Sequence, residues 1–313
     1  MTETSSAADV VVINAVVGTS EDSGRKTISG NANDTGDDTI TGFAVGTDTV
    51  KISASSVASF LHGTDTTIGT AGAANDGTAG SFASTVGLVE LNQTTNNDWD
   101  DAGDIALTFS SVTGTFNEAN FEAALQYDLT LTNAGVTATT GVKDDTVTGG
   151  TGADTITGGA GADTITGDAG ADVFLIAAAA DHATGETIVG GADADTIRFT
   201  STTASETLAL LAGVTDADNA ITVEISDAAG ANTGTTALNV NADALVDTLV
   251  VTLIGNDGDN VLVGNATADT INGGAGADTI TGGAGADTIT GGAGEDTITG
   301  DAGADVFLIA AAA

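Results

Sequence analysis

The stretch GGTGADTITGGAGADTITGDAGADVFLIAAAA, residues 149–180, decides the fold, because nearly the same string closes the chain. Aligned on itself it breaks into nine-residue blocks that begin at Gly149, Gly158 and Gly167 and reappear at Gly255, Gly264, Gly273, Gly282, Gly291 and Gly300. Fainter copies stand at 190–198 (GGADADTIR), at 143–148 (KDDTVT) and at 33–41 (NDTGDDTIT). Each regular block ends in a triplet such as Thr-Ile-Thr, one apolar side chain between two polar β-branched ones. That is the pattern of a very short strand with one face buried, and it points Ile156 and Ile165 inward. The first six residues pair glycines with an Asp and suit a tight turn, since Gly admits positive φ and Asp brings carboxylate oxygens close to the backbone. Two blocks then make one flat coil with a strand on each side, and coils stack at the ~4.8 Å spacing of neighbouring strands.

Composition explains why such a chain needs help to fold. Only 4% of its 313 residues are aromatic, and it has one Trp and one Tyr. Small Ala, Gly, Thr and Asp side chains bury too little apolar surface to offset the entropy of ordering them. Forty-four acidic residues against five basic ones give a net charge of −39, which drives a compact state apart unless cations bind. Nucleic acid and anionic membrane are poor partners for a chain whose only cations are Arg25, Lys26, Lys51, Lys143 and Arg198. Without Cys there is neither a disulfide framework nor a thiolate metal site. No run reaches the ~18 apolar residues of a membrane span, and the N-terminus lacks the pattern of a cleaved signal peptide.

Stacked turns place Asp154, Asp163 and Asp172 in files along two edges, where neighbouring carboxylates repel unless a divalent cation lies between them. Oxygen-only donors on a flexible turn suit Ca²⁺ better than Mg²⁺ or Zn²⁺. A G-G-x-G-x-D turn followed by an apolar strand residue resembles the RTX, or hemolysin-type, calcium-binding repeat. The resemblance implies all-β architecture, a parallel β-roll in which the sixth-position Asp and turn carbonyls of stacked blocks share each ion. Carried over by position, the metal residues are Asp154, Asp163, Asp172, Asp269, Asp278, Asp287, Asp296 and Asp305, with Asp145, Asp195 and Asp38 as weaker matches. The matching turn glycines are Gly150, Gly152, Gly159, Gly161, Gly274, Gly276, Gly283, Gly285, Gly292 and Gly294. Asn260 replaces the acid in one block and Asp193 replaces the fourth-position Gly in another, departures that weaken the case for an ion there. Asp168 and Asp301, at the second position, add a ligand or cap the roll.

Outside the blocks the alternation of β-strands continues, at DIALTFSSV from Asp104, YDLTLTNA from Tyr127, AITVEISDA from Ala220 and DTLVVTLIGN from Asp247. Short helices are expected at 117–126, capped by Asn117, and at 204–212. Trp99, Phe109, Phe116, Phe121 and Tyr127 form the expected aromatic core. The apolar run 8–17 either pairs within its own domain or augments a sheet in a second copy. The expected order is an N-terminal β segment with a degenerate copy (1–52), a β-rich domain with one short helix (53–143), a first roll (144–198), an intervening β segment (199–254) and a second roll (255–313), so that rolls interleave with sandwich-like or irregular β domains. Residues 146–180 and 279–313 differ at only three positions, but the first copy continues where the second stops at Ala313. The gene product is therefore expected to run on.

Catalysis is not expected. His62 and His182 are isolated, and neither H-E-x-x-H nor G-x-S-x-G occurs. Thr-rich, Cys-free, acidic β sequence interleaved with such repeats resembles bacterial S-layer proteins. What this implies is an extracellular or cell-surface structural protein, released by type I secretion, whose partner is itself in a lattice or filament. The alternative is a calcium-dependent adhesin, with a cell-surface glycan as ligand, or an ice-binding module.

Overall fold

The computed structural model describes residues 135–309 except 247, strand 125–131, and a set of strands within residues 10–110 at the level of the backbone. The chain divides into two compact units, residues 1–132 with 138–146, and residues 133–137 with 147–313.

In the first unit, Val10–Val16 pairs in parallel with Thr49–Val57, which pairs in parallel with Leu125–Leu131. The apolar run near the N-terminus thus finds a partner strand inside its own unit. Tyr127, Leu129 and Leu131 alternate inward and are all buried. A second sheet holds the only antiparallel pairings among the described residues, Thr67–Gly69 with Val86–Leu91 and Val86–Leu91 with Ile105–Ser110. The helix expected at 117–126 does not extend to its last two residues, since Leu125 and Gln126 belong to a strand; positions 117–124, like Trp99, Phe116, Phe121 and Asp38, lie outside the described residues.

In the second unit every strand pairing is parallel. One long sheet runs Thr155–Thr157, Val173–Ile176, Asp195–Phe199, Ala220–Ile225, Val250–Ile254, Thr270–Ala275, Thr288–Ala293 and Val306–Leu308. The alternate strands form two shorter sheets, one from Thr146–Thr151 through Thr164–Ala169 and Thr187–Ala192 to Val214–Thr215, the other from Thr207–Ala209 through Asn239–Asn241, Val261–Val263 and Thr279–Ala284 to Thr297–Ala302. The chain therefore winds as a parallel β-roll. Register is 18 residues per coil wherever two regular blocks succeed each other, as in Thr252 opposite Thr270 and Thr270 opposite Thr288. It widens to 23 between Val173 and Thr196, to 26 between Thr196 and Thr222 and to 30 between Thr222 and Thr252, yet the same sheet continues through all of them.

An apolar ladder fixes that register. Ile156, Phe174, Ile197, Val223, Leu253, Ile271 and Ile289 lie opposite one another in successive strands and are all at most 1% exposed. A slip of one residue would turn every one of them to solvent.

The helix expected at 204–212 is instead the strand Thr207–Ala209, paired with Asn239–Asn241. Leu208 and Leu210 are both fully buried, so the segment buries every second residue, and a ladder partner outweighs the helix propensity of its Ala and Leu. The only helical element among the described residues is the three-residue 3₁₀ turn Ala179–Asp181, which lies in the connection that lengthens the coil to 23 residues.

Candidate metal centre

The turns stack as the strands do, and one hydrogen bond recurs through them. The Oδ1 of each sixth-position Asp accepts the backbone N–H of the residue one coil earlier: Asp172 from Asp154 (2.8 Å), Asp195 from Asp172 (2.8 Å), Asp278 from Asn260 (2.8 Å), Asp287 from Asp269 (2.9 Å), Asp296 from Asp278 (3.1 Å) and Asp305 from Asp287 (3.2 Å). The predicted aspartates are thus brought into files, Asp154 with Asp172 and Asp195, Asp269 with Asp287 and Asp305, and Asp278 with Asp296. Asp163 belongs to a different file, where Oε2 of Glu186 accepts its N–H at 3.1 Å.

The second carboxylate oxygen separates two kinds of turn. In one kind it accepts an N–H from its own turn, as Asp145 does from Gly141 (3.0 Å), Asp154 from Gly150 (3.1 Å) and Asp269 from Asn265 (2.8 Å). In the other, Oδ2 is buried with no hydrogen-bond partner, at Asp172, Asp195, Asp278 and Asp287. The second-position residue makes the difference. Gly283 has φ 106° and Asp168 φ 74°, left-handed values that go with an unpartnered Oδ2, whereas Gly150 stays out of that region and its N–H meets Asp154. Nine of the ten predicted turn glycines have φ between 84° and 139°; Gly150 is the exception. Asp301 (φ 63°) and Asp193 (φ 79°) keep the same conformation at their positions, as short Asp side chains tolerate.

The glycines also provide the space. A Cβ on Gly276 would lie 2.6 Å from the Gly258 carbonyl oxygen one coil earlier, and at the first position a Cβ on Gly264 would lie 2.6 Å from Asp269 Oδ2. Sequence reasoning passed over those first-position glycines, although every block begins with one. It also missed Glu186, whose Glu-Thr-Ile repeats the Asp-Thr-Ile of the blocks, and Asp216.

A family model of the RTX calcium-binding nonapeptide repeat matches in four stretches, residues 139–174, 183–198, 254–289 and 273–307, about a third of the chain. The chain carries RTX calcium-binding repeats. Repeats of this type bind Ca²⁺, and proteins that carry them are typically secreted. No curated protein matches the chain.

The RTX turns fit a hard dication on their own evidence. A buried carboxylate oxygen without a donor is costly unless a cation compensates it. Among the described residues no three Asp, Glu, His or Cys side chains converge on one point, so at most two such side chains would share an ion and turn carbonyls or water would complete its shell. That combination suits Ca²⁺, which accepts 6–8 oxygens at roughly 2.3–2.6 Å and would supply positive charge between the files. Asp172, Asp195, Asp278 and Asp287, whose Oδ2 atoms such an ion would satisfy, are the residues suited to hold it were it bound. Asn260 is not: its amide donates to the Leu238 carbonyl (2.9 Å) and to Asn256 Oδ1 (3.1 Å), which leaves nothing for an ion to satisfy.

The charges in the files strain one another when no cation is bound. Burial, then the neighbouring Asp154, Asp168 and Asp193, pushes the Asp172 carboxyl up to about 6. Burial, then the charges of Asp296 and Asp259, does the same to Asp278. Asp195 is pushed up to about 7 by burial and by Asp172 and Asp216, and Asp287 is raised by burial and by Asp269 and Asp305. Burial, with Asp163 and Asp181 nearby, takes Glu186 up to about 8. His182, by contrast, is buried and held down to about 4, and its Nε2 accepts the Leu211 N–H at 3.1 Å.

Proposed function

We propose that this chain is a secreted structural protein, a subunit of a bacterial S-layer or extracellular filament, in which uptake of calcium by the stacked RTX turns sets the fold and permits assembly with further copies. The observation that carries this reading is the set of unpartnered Oδ2 atoms in files along a continuous roll. They make folding conditional on a cation, and the rest of the unit offers regular, Thr-studded strand faces. The sequence offers no aromatic-rimmed pocket for a ligand. Where calcium is scarce, as inside a cell, the carboxylate files repel and the turns do not close, a state suited to passage through a secretion channel. Outside, millimolar calcium exceeds the 10⁻⁴–10⁻³ M dissociation constants of extracellular modules, and binding becomes folding.

Electron microscopy of the purified protein with calcium and with chelator tests the proposal. Ordered lattices or filaments that dissolve on chelation are the expected result. Dispersed particles in calcium that bind a glycan or ice would replace it with the adhesin or ice-binding reading.

A further inference from the structure

Between the two arrays the nonapeptide pattern lapses, and with it the sixth-position acid. Ile221 stands opposite Asp195 and Val251 opposite Asp269 in the long sheet, and both are buried. The first position changes at the same places. Thr215 pairs with Val189 and Asn241 with Val263, so Asp216 stands opposite Gly190 and Ala242 opposite Gly264. In the regular turns a first-position side chain is excluded because the Asp of its own turn fills that space; a Cβ on Gly190 would lie 2.5 Å from Asp195 Oδ2. With Ile or Val at the sixth position the space is vacated, and the chain tolerates Asp216 and Ala242 there.

Asp216 does more than fill room. Its Oδ1 accepts the Asp218 N–H at 2.7 Å and fixes the carboxylate, while its Oδ2 reaches back one coil to the same point over Gly190 that Asp195 Oδ2 approaches, at 2.5 Å from it. Each oxygen being that close to one point, the two can be no more than twice that distance apart, which a single Ca²⁺ at roughly 2.3–2.6 Å from each would span. Asp195 is 1% and Asp216 8% exposed; the two carboxyls face each other, and no donor from another residue reaches either Oδ2. Asp216 lies outside every stretch that matches the RTX repeat, the nearest of which ends at 198.

We propose that Asp195 and Asp216 together hold a calcium ion at a site of non-repeat design, in which the acid has moved from the sixth position of one turn to the first, so that the cation file continues across the irregular coils. This rests on the calcium chemistry of the proposed function but not on assembly. Bound calcium per full-length chain, counted by native mass spectrometry and equilibrium dialysis, is the test. Asp216→Asn, which keeps the Oδ1 cap on Asp218, should bind one ion fewer than the wild type, and the pair Asp216→Gly with Ile221→Asp, which rebuilds the regular turn, should restore the count. An unchanged count in Asp216→Asn overturns the site. If Asp216→Asn loses several ions through misfolding, the double variant decides: a restored count supports the site, and a low one overturns it. A wild type that binds calcium but forms no lattice would sink the assembly reading alone.

Discussion

Replacing Asp278 by Asn should help the chain without calcium and blunt its response to calcium. Asp278 is 1% exposed, with Oδ1 bonded to the Asn260 N–H and Oδ2 unpartnered. Its carboxyl is raised from 3.8 to about 6, so keeping it ionised at neutral pH opposes folding by on the order of 3 kcal/mol at ~1.4 kcal/mol per pKa unit. Asn preserves the Oδ1 acceptor and removes the charge. The natural Asn260, one coil earlier in the same file, places an uncharged amide at this register, donating to the Leu238 carbonyl and to Asn256 Oδ1. The variant should therefore favour the calcium-free roll by about 1–3 kcal/mol. In about 10 mM calcium that advantage is offset, because an ion with a dissociation constant of about 10⁻⁴–10⁻³ M contributes roughly 1.4–2.7 kcal/mol that the variant forfeits. Far-UV circular dichroism reads both limbs, an osmolyte titration in chelator and a urea titration in calcium. D278N should fold at lower osmolyte than the wild type, and its urea midpoint should rise less than the wild type's as calcium is raised. A variant that needs more osmolyte in chelator, or whose urea midpoint rises with calcium as steeply as the wild type's, refutes the idea that Oδ2 is kept ionised for a cation.

Acidification should partly replace calcium. Glu186, Asp195, Asp172 and Asp145 are raised in the folded chain to about 8, 7, 6 and 6, so the folded state binds more protons than the unfolded one; the stability this gives is fully present below the ordinary carboxylate range and is lost as pH rises through 6 to 8. Circular dichroism in chelator should show β structure growing from about pH 8 to 4, and calcium titrations should show affinity falling over the same window. Ile271→Ala, at a fully buried rung, should cost about 2–5 kcal/mol in urea denaturation with calcium present, whereas Phe307→Ala, at a residue 47% exposed, should cost much less. Gly282→Ala puts a Cβ where Asp287 Oδ2 lies and 2.9 Å from the Gly300 carbonyl oxygen, so bound calcium should fall by one ion; Thr151→Ala, the residue the duplicate carries at 284, should leave the count unchanged.

The repeat was legible because its physics is local. Thr-Ile-Thr triplets three residues long, the inward Ile156 and Ile165, and the stacking of Asp154 on Asp172 all follow from a nine-residue period and need no knowledge of the rest of the chain. What escaped depends on partners far off in sequence. Residues 204–212 contain good helix formers, and only the pairing of Leu208 with Val240 makes them a strand. Asp216 could not be placed because its neighbour Asp195 is defined by a coil of 26 residues whose register no period announces. The distinction between Gly150 and Gly159, identical in the pattern, is likewise a matter of φ that the sequence does not write.

The duplicated segment shows how far that dependence goes. Phe174 and Phe307 stand at equivalent positions in the same local sequence, G-D-A-G-A-D-V-F-L-I, yet the first is 1% exposed and the second 47%. The difference is the next coil: Ile197 of Asp195–Phe199 covers Phe174, and no described strand pairs with the far edge of Val306–Leu308. The same holds for the acids, since Asp172 gives its N–H to Asp195 while Asp305 in the last described coil has no following carboxylate to meet. Burial and charge neutralisation are thus properties of a pair of coils and not of one, and stability along the roll accumulates as nearest-neighbour terms. In such a ladder an uncompensated irregular stretch would cut the molecule into two independently folding rolls. The unbroken apolar file from Ile156 to Ile289 opposes that cut from inside, and a carboxylate moved to Asp216 opposes it at the turn.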